Sequence, residues 1–206
     1  MEIELKWGLR YPGDLERLLA NLPEPHAVLV QQNHYFTDTN GELARTRTMV
    51  RIREQGRSSQ GCTEVSDIVL TVKRRLNKEA GVFRAEETEE SISEDLWRDI
   101  LYERTTLDVL ESPALHQLQS SLSLGAWQPQ GVLTNKRHVV KLEGFVLEID
   151  RTTFDDGHVD VEVEVETEDI DGAKALLTRI GDECDITFFE QTRGKYSRFL
   201  SRCLEA

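Results

Sequence analysis

Charged side chains of two kinds recur at alternate positions along this 206-residue sequence, and both kinds suit phosphate chemistry. The alternating sets are Glu2, Glu4 and Lys6; Arg51 and Arg53; Lys73 and Arg75; Glu148 and Asp150; and Asp160, Glu162, Glu164 and Glu166. Guanidinium and ammonium groups match phosphate oxygens, whereas clustered carboxylates match hard divalent cations such as Mg²⁺ or Mn²⁺. A chain of phosphates carrying a metal ion would therefore satisfy both sets at once.

The spacing of these residues predicts the strands that position them. Alternate side chains of a β-strand share a face, so each charged set lies opposite a row of apolar residues. In a closed barrel covered by helices, the apolar rows face the helices and the charged rows line a polar tunnel. The segment 159–166, considered alone, equally suits an exposed acidic edge strand. Recurrence of the pattern in five segments favours the tunnel.

The remaining patterns predict an α+β fold. Strands are predicted at 2–7, 27–37, 49–53, 68–75, 82–91, 132–141, 145–150 and 159–167. Helices are predicted from Asp14, an N-cap candidate, to just before Pro23, across 96–101, after the Ser112-Pro113 pair, and at 171–180 and 192–204. Residues 55–67 have the weak pattern of a solvated loop. We expect one domain over 1–206, an eight-stranded antiparallel β-barrel with flanking helices.

Composition restricts the cellular setting and the class of partner. The formal net charge of −13 disfavours binding to nucleic acid or to anionic membranes. Cys62, Cys184 and Cys203 are widely spaced, which predicts free thiols in a reducing compartment. No run approaches the roughly 20 apolar residues of a membrane span, and the start lacks the pattern of a signal peptide. We expect a cytoplasmic monomer acting on a small molecule.

Other catalytic motifs are missing from the sequence. The five histidines show no HExxH or paired ligand spacing, which argues against zinc or imidazole catalysis. Neither G-x-x-x-x-G-K-[ST] nor G-x-G-x-x-G occurs, which argues against the usual nucleotide folds. No serine lies in a nucleophile elbow.

The ordered motifs resemble the CYTH superfamily, also called triphosphate tunnel metalloenzymes, and most closely its small plant-type tripolyphosphatases. In chain order they are Glu2-x-Glu4-x-Lys6, Tyr35-Phe36-Thr37-Asp38-Thr39, Arg51-x-Arg53, Leu70-Thr71-Val72-Lys73, Arg84 with the 86–90 acidic cluster, Glu148-x-Asp150, Glu162-x-Glu164, and Lys195. The resemblance covers nearly the whole chain. It implies an eight-stranded antiparallel tunnel.

The resemblance also implies roles for individual residues. Substrate binding is expected at Lys6, Arg51, Arg53, Lys73, Arg75, Arg137 and Lys195. Metal binding is expected at Glu2, Glu4, Glu162 and Glu164, with Asp150 as a further ligand or an orienting group. Catalytic roles are expected for Glu4, Lys73, Glu87 and Lys195. Lys195 follows Thr192, a possible N-cap, and a lysine near a helix N-terminus is electrostatically misplaced, which favours a functional role. Arg45, Arg47 and Arg74 are expected to face solvent or form structural ion pairs.

The expected reaction is Mg²⁺-dependent hydrolysis of tripolyphosphate to diphosphate and phosphate. Thiamine triphosphate, nucleoside triphosphates and cyclisation of ATP to cyclic AMP remain open as other activities of the same site. A non-catalytic module binding polyphosphate or inositol phosphate is a different class, as is an acidic barrel that acts as an interaction scaffold. Persistence of both the acidic and the basic sets favours catalysis.

Overall fold

The computed structural model describes residues 2–59, 62–79 and 81–205. Its strands are β1 (Glu2–Leu9), β2 (Ala27–Asp38), β3 (Thr48–Ser59), β4 (Cys62–Glu79), β5 (Val82–Ser91), β6 (Trp127–Leu142), β7 (Phe145–Thr153), β8 (Val159–Glu166) and β9 (Phe188–Glu190). Its helices are α1 (Asp14–Ala20), α2 (Glu42–Thr46), α3 (Glu94–Leu101), α4 (Pro113–Ser121), α5 (Ile170–Cys184) and α6 (Lys195–Glu205), with a short 3-10 helix at Leu107–Val109.

Strands β1 to β8 form a closed antiparallel barrel. They are hydrogen-bonded in the order β5-β4-β3-β2-β6-β7-β8-β1, and β1 pairs back with β5. The closing pairs include Glu2 opposite Ala85 and Glu4 opposite Phe83. β9 adds to β1 outside the ring, with Trp7 opposite Glu190. The prediction of an α+β fold built on an eight-stranded antiparallel barrel is confirmed.

The apolar rows of the strands face outward and are covered by helices. On one side, α1 and α5 pack on β1, β7 and β8, burying residues such as Leu177, Ile149 and Val163. On another side, α3 and α4 cover β3 and β4, where Trp97 and Ile52 belong to the same cluster. Each fully buried aliphatic side chain contributes about 1.5–3 kcal/mol. This packing turns the charged faces of the strands toward the barrel interior.

The last helix, α6, packs on interior-facing residues rather than on the outer wall. Phe199 is 1% exposed and lies in a cluster with Tyr35, Met49, Leu133 and Phe154. Gly131 has φ +142°, and a β-carbon there would lie 2.6 Å from the Phe199 ring. Only glycine therefore allows β6 to approach the helix so closely. Helix α6 covers one end of the barrel and delivers Lys195 to the interior.

Several local predictions were wrong. The segment 55–67 was predicted as a loop, but its described residues belong to a β-hairpin. β3 continues to Ser59 and pairs with β4 from Cys62 onward. Ladder hydrogen bonds join backbone groups and form regardless of polar side chains. Asp14 is the first residue of α1, and its N-cap is Gly13. Helix α2 and strand β9 were not predicted, and the Cys62 and Cys203 side chains lie outside the described residues.

Asp38 holds the connection between β2 and β3. Its carboxylate accepts backbone N–H hydrogen bonds from Asn40 (3.1 Å), Glu42 (3.2 Å), Leu43 (3.0 Å) and Gly125 (3.2 Å). Burial opposes ionisation, but these four donors hold the pKa of Asp38 below its ordinary value. Nowhere in the described ranges is a helix both long and apolar enough to cross a membrane.

Candidate active site

The barrel interior contains a cavity of about 780 Å³ lined by both charged sets and by the start of α6. Its charged lining includes Glu2, Glu4, Lys6, Arg51, Arg53, Lys73, Arg75, Glu87, Arg137, Glu148, Glu164 and Lys195. Of the residues predicted for the site, Asp150 and Glu162 lie behind this surface, 0% and 1% exposed. Both contact Lys195. The structure therefore places the whole predicted set in one region.

Arg53 is a partly buried cation that faces the cavity. Its Nε donates a hydrogen bond to Asn33 Oδ1 at 2.9 Å, and among the residues described here no carboxylate forms an ion pair with it. Burial lowers the pKa of Arg53 to about 9, and the nearby positive charges of Arg51 and Arg137 add to this effect. Arg51 lies 3.7 Å from both Glu87 and Glu89. This part of the cavity would be stabilised by a bound anion.

Lys73 holds a group of carboxylates from β1 and β5. Its Nζ contacts Glu2, lies 3.2 Å from Glu4 and lies 2.7 Å from Glu87. Burial and hydrogen bonds with Glu4 and Glu87 raise the pKa of Glu2 to about 10. Burial would also raise the pKa of Glu4, but Lys6 and Glu2 hold it below its ordinary value. Glu2 therefore carries a proton near neutral pH that it shares with adjacent carboxylates.

A second acidic group surrounds Lys195. Carboxylate oxygens of Asp150, Glu162 and Glu164 lie within 4.8 Å of one another. Lys195 Nζ is 2.6 Å from Asp150, 2.7 Å from Glu162 and 2.8 Å from Glu164. Burial disfavours the charged ammonium, yet these three carboxylates raise the pKa of Lys195 above its ordinary value. The Lys195 ammonium therefore offsets part of the negative charge of this cluster, as a movable point charge.

Arg137 positions this acidic cluster. Its Nε and Nη2 donate to Asp150 at 2.8 and 2.6 Å, and Nη2 also donates to Glu164 at 2.8 Å. Nη1 contacts Glu148. Although burial disfavours the charged guanidinium, Asp150 and the neighbouring acids raise the pKa of Arg137 well above its ordinary value. The fork geometry fixes the carboxylates, and a substrate would compete with them for the same donors.

The carboxylate donors fit a divalent cation. All are hard oxygen ligands, which Mg²⁺ prefers. Oε2 of Glu162 is buried with no hydrogen-bond partner in the described part of the chain, so it is available for a ligand. The buried cluster of Asp150, Glu162 and Glu164 would hold the ion, and Lys195 would have to move away from their oxygens.

Arg198 and Arg47 lie near the site, although neither was predicted to belong to it. Arg198, one helical turn after Lys195, lies 3.0 Å from Glu162 and 2.8 Å from Asp160. Their spacing of three residues places them on one helix face, a signal that the sequence did carry. Arg47, expected to face solvent, is exposed but lines the cavity rim. Arg45 is exposed and ion-paired with Glu42, in agreement with the prediction.

Comparison with known proteins gives independent evidence on the family. The model of the family described as the CYTH domain matches residues 1–185. A solved protein from Hippeastrum, a candidate adenylyl cyclase described as having a dominant triphosphatase activity, is 26% identical over 98% of this chain and 96% of its own, with a TM-score of 0.86. No curated protein sequence matches the chain.

Two further structures show the shared fold. A candidate adenylate cyclase from Bacillus halodurans is 23% identical, covers 97% of this chain and 97% of its own, and has a TM-score of 0.71. A protein from Pyrococcus horikoshii is 18% identical over 98% of this chain and 99% of its own, with a TM-score of 0.63.

Proposed function

Because the chain belongs to the CYTH domain family, we propose that it hydrolyses inorganic tripolyphosphate to diphosphate and phosphate with the help of Mg²⁺. The observation that carries this proposal is the partly buried guanidinium of Arg53, which forms no ion pair with a carboxylate among the described residues and faces the same cavity as the carboxylates. A polyphosphate would offset the positive charge of Arg53, and a bound divalent cation would offset the negative charge of the carboxylates. The triphosphatase activity of the Hippeastrum protein also supports the reaction class.

Arg51, Arg53 and Lys73 would bind the phosphate oxygens. Arg51 and Arg53 approach from β3, and Lys73 lies on β4 two positions beyond the residue paired with Arg51. Their charges would offset the negative charge that develops on the bridging oxygen as the terminal phosphoryl group leaves. Lys73 would exchange its contacts with Glu2, Glu4 and Glu87 for contacts with phosphate.

Mg²⁺ bound to the carboxylates would neutralise phosphate oxygens and help to orient them. Glu87 would position the attacking water in line with the terminal phosphorus. Lys73 and Glu2 hold the pKa of Glu87 well below its ordinary value, although burial opposes this, so Glu87 is a weak base. Orientation is sufficient here, because phosphoryl transfer has a loose transition state that needs little proton abstraction.

The test is a phosphate-release panel containing tripolyphosphate, thiamine triphosphate and ATP, each with Mg²⁺ and with excess EDTA. Among these three substrates we expect tripolyphosphate to be hydrolysed fastest, and we expect EDTA to abolish the activity. Equal or faster hydrolysis of ATP would overturn the choice of substrate, and formation of cyclic AMP would favour a cyclase. Tight binding of tripolyphosphate without turnover would favour a binding module.

Variants of β4 test the residues within the same assay. We expect Lys73→Ala to raise the KM for tripolyphosphate and lower kcat, because Lys73 faces the cavity. Arg74→Ala is the matched control, since Arg74 is exposed on the opposite face and pairs with Glu86 at 2.6 Å. If both variants retained wild-type kinetics, the assignment of the cavity as the active site would be wrong.

A further inference from the structure

Two arginines, Arg47 and Arg75, form the basic rim of the cavity beyond Lys73. Both line the cavity, and the backbone N–H of Arg75 donates to the Arg47 carbonyl at 3.3 Å. Arg47 is exposed and Arg75 is half-buried. The Arg75 guanidinium lies 5.2 Å from the Phe83 ring centroid, and a β-carbon on Gly194 would be 2.8 Å from its Nη2. The rim therefore lies beside the start of α6.

The positive charges of these two guanidinium groups repel each other. Burial lowers the pKa of Arg75 and the charge of Arg47 lowers it further, with Glu4 as an opposing influence. Within the described ranges, neither arginine has a carboxylate oxygen within ion-pairing distance. By contrast, the adjacent exposed residues Arg45 and Arg74 are paired with Glu42 and Glu86.

The strand register places this pair at the end of a basic ladder. Along the β3–β4 pairing, Arg53 lies opposite Val69, Arg51 opposite Thr71, and Lys73 opposite Met49. The next level contains Arg47 and Arg75. Successive levels are about 7 Å apart along a strand, so the ladder extends over roughly 20 Å. Phosphorus atoms joined through one bridging oxygen lie closer together than these levels, so the ladder exceeds the length of a triphosphate.

We propose that Arg47 and Arg75 bind the trailing phosphoryl groups of linear inorganic polyphosphates longer than triphosphate, which makes such chains substrates of this cavity. This inference rests on the proposed function and extends it from one substrate to a class. The terminal phosphoryl groups occupy the Arg53, Arg51 and Lys73 levels, where hydrolysis takes place. The remainder of the chain leaves the barrel past the rim beside Gly194.

The backbone at Arg47 offers a variant that separates binding from folding. Arg47 caps the C-terminus of α2 with φ 55° and ψ 36°, a left-handed conformation that favours glycine. Arg47→Gly removes the guanidinium group and also the steric strain of a left-handed backbone at a non-glycine residue, so we expect an equal or higher melting temperature. Arg47→Asn also tolerates this conformation and removes the charge. Arg45→Ala, on the same helix, is the matched control.

The experiment compares kcat/KM for tripolyphosphate, tetrapolyphosphate and a medium-chain linear polyphosphate in wild-type protein and the three variants, with Mg²⁺. In the wild type, we expect kcat/KM to rise with chain length. In Arg47→Gly and Arg47→Asn the medium-chain value should fall about tenfold, as for one lost charge-assisted hydrogen bond, with a smaller fall for tripolyphosphate. Arg45→Ala should retain the wild-type ratio between substrates.

Failure of this inference is distinguishable from failure of the proposed function. Hydrolysis of tripolyphosphate with no preference for longer chains, or an unchanged substrate ratio in the Arg47 variants, would overturn the rim subsite alone. Absence of tripolyphosphate hydrolysis in the wild type would overturn the proposed function. Calorimetric titration of medium-chain polyphosphate in EDTA still tests the rim in that case. Equal affinity of wild type and Arg47→Gly there would refute it.

Discussion

Replacing Arg53 by glutamine should stabilise the unliganded protein while removing its response to phosphate chains. Arg53 is the partly buried cation that donates Nε–H to Asn33 at 2.9 Å and forms no ion pair with a carboxylate among the described residues. Glutamine places an amide nitrogen at the same distance along the side chain as the arginine Nε. Arg53→Gln therefore retains the hydrogen bond to Asn33 and removes the positive charge.

The magnitude follows from the charge that is removed. Burial and neighbouring cations lower the pKa of Arg53 to about 9, from an ordinary value of 12.5. At about 1.4 kcal/mol per pKa unit, the folded state disfavours this charge by several kcal/mol at every pH below that value. The glutamine amide leaves a buried oxygen that offsets part of the gain, by about 1–3 kcal/mol. We expect a net rise of about 2 kcal/mol in the free energy of unfolding.

The assay is urea unfolding in a phosphate-free buffer containing EDTA, with and without tripolyphosphate. A ligand at 100 times its Kd stabilises the native state by about 2.7 kcal/mol. The wild type should gain stability of this order, whereas Arg53→Gln should gain little and lose phosphate release. Arg74→Gln, on the outer face of β4, is the control. An Arg53→Gln protein that is less stable than wild type, or that retains activity, would refute the reasoning.

Three further predictions concern the metal site, the end helix and the β2–β3 connection. Glu162→Gln should raise the Mg²⁺ concentration for half-maximal phosphate release by about tenfold or more, because an amide is a weaker ligand than a carboxylate; an unchanged Mg²⁺ titration would argue against this ligand. Phe199→Ala should lower the free energy of unfolding by about 3–5 kcal/mol and speed hydrogen exchange in α6; unchanged exchange would contradict the packing of α6 on the barrel interior. Asp38→Asn should destabilise the fold by about 2–3 kcal/mol at pH 7. Because the folded pKa of Asp38 is lowered, this difference should be complete above about pH 4 and vanish as pH falls through the lowered value; a loss independent of pH would contradict it.

The fold was predictable where side-chain pattern and backbone pairing agree. Strand β5 was predicted with its observed ends, and β8 with an error of one residue. The hairpin of β3 and β4 was predicted too short. Its outer part is polar and lacks an alternating pattern, and it is held together by hydrogen bonds between the two backbones. Strand β9 is only three residues long, which is too short for an alternating pattern of apolar and polar residues to be recognised. It forms by backbone pairing with the end of β1.

The faces of the site residues were predictable, but their partners were not. Period-two alternation places Glu162 and Glu164 on one face, whereas their contacts with Lys195 depend on how α6 enters the barrel. Gly131 and Phe199 control that approach, and neither belongs to a charged motif. Arg47 was missed because it follows a helix of only five residues, α2, as its C-cap, and its left-handed backbone turns its side chain toward the rim.

The closed ring has a consequence for how activity should return on refolding. Lys6 and Glu164 are 158 positions apart, and β1 meets both β5 and β8 only when the sheet closes. Pairings between such distant segments form slowly, because the chain loses much conformational entropy before the new contacts stabilise the structure. An intermediate with an open sheet would possess most of its secondary structure and none of the enclosed polar chamber. Regain of phosphate release should therefore lag behind regain of circular dichroism.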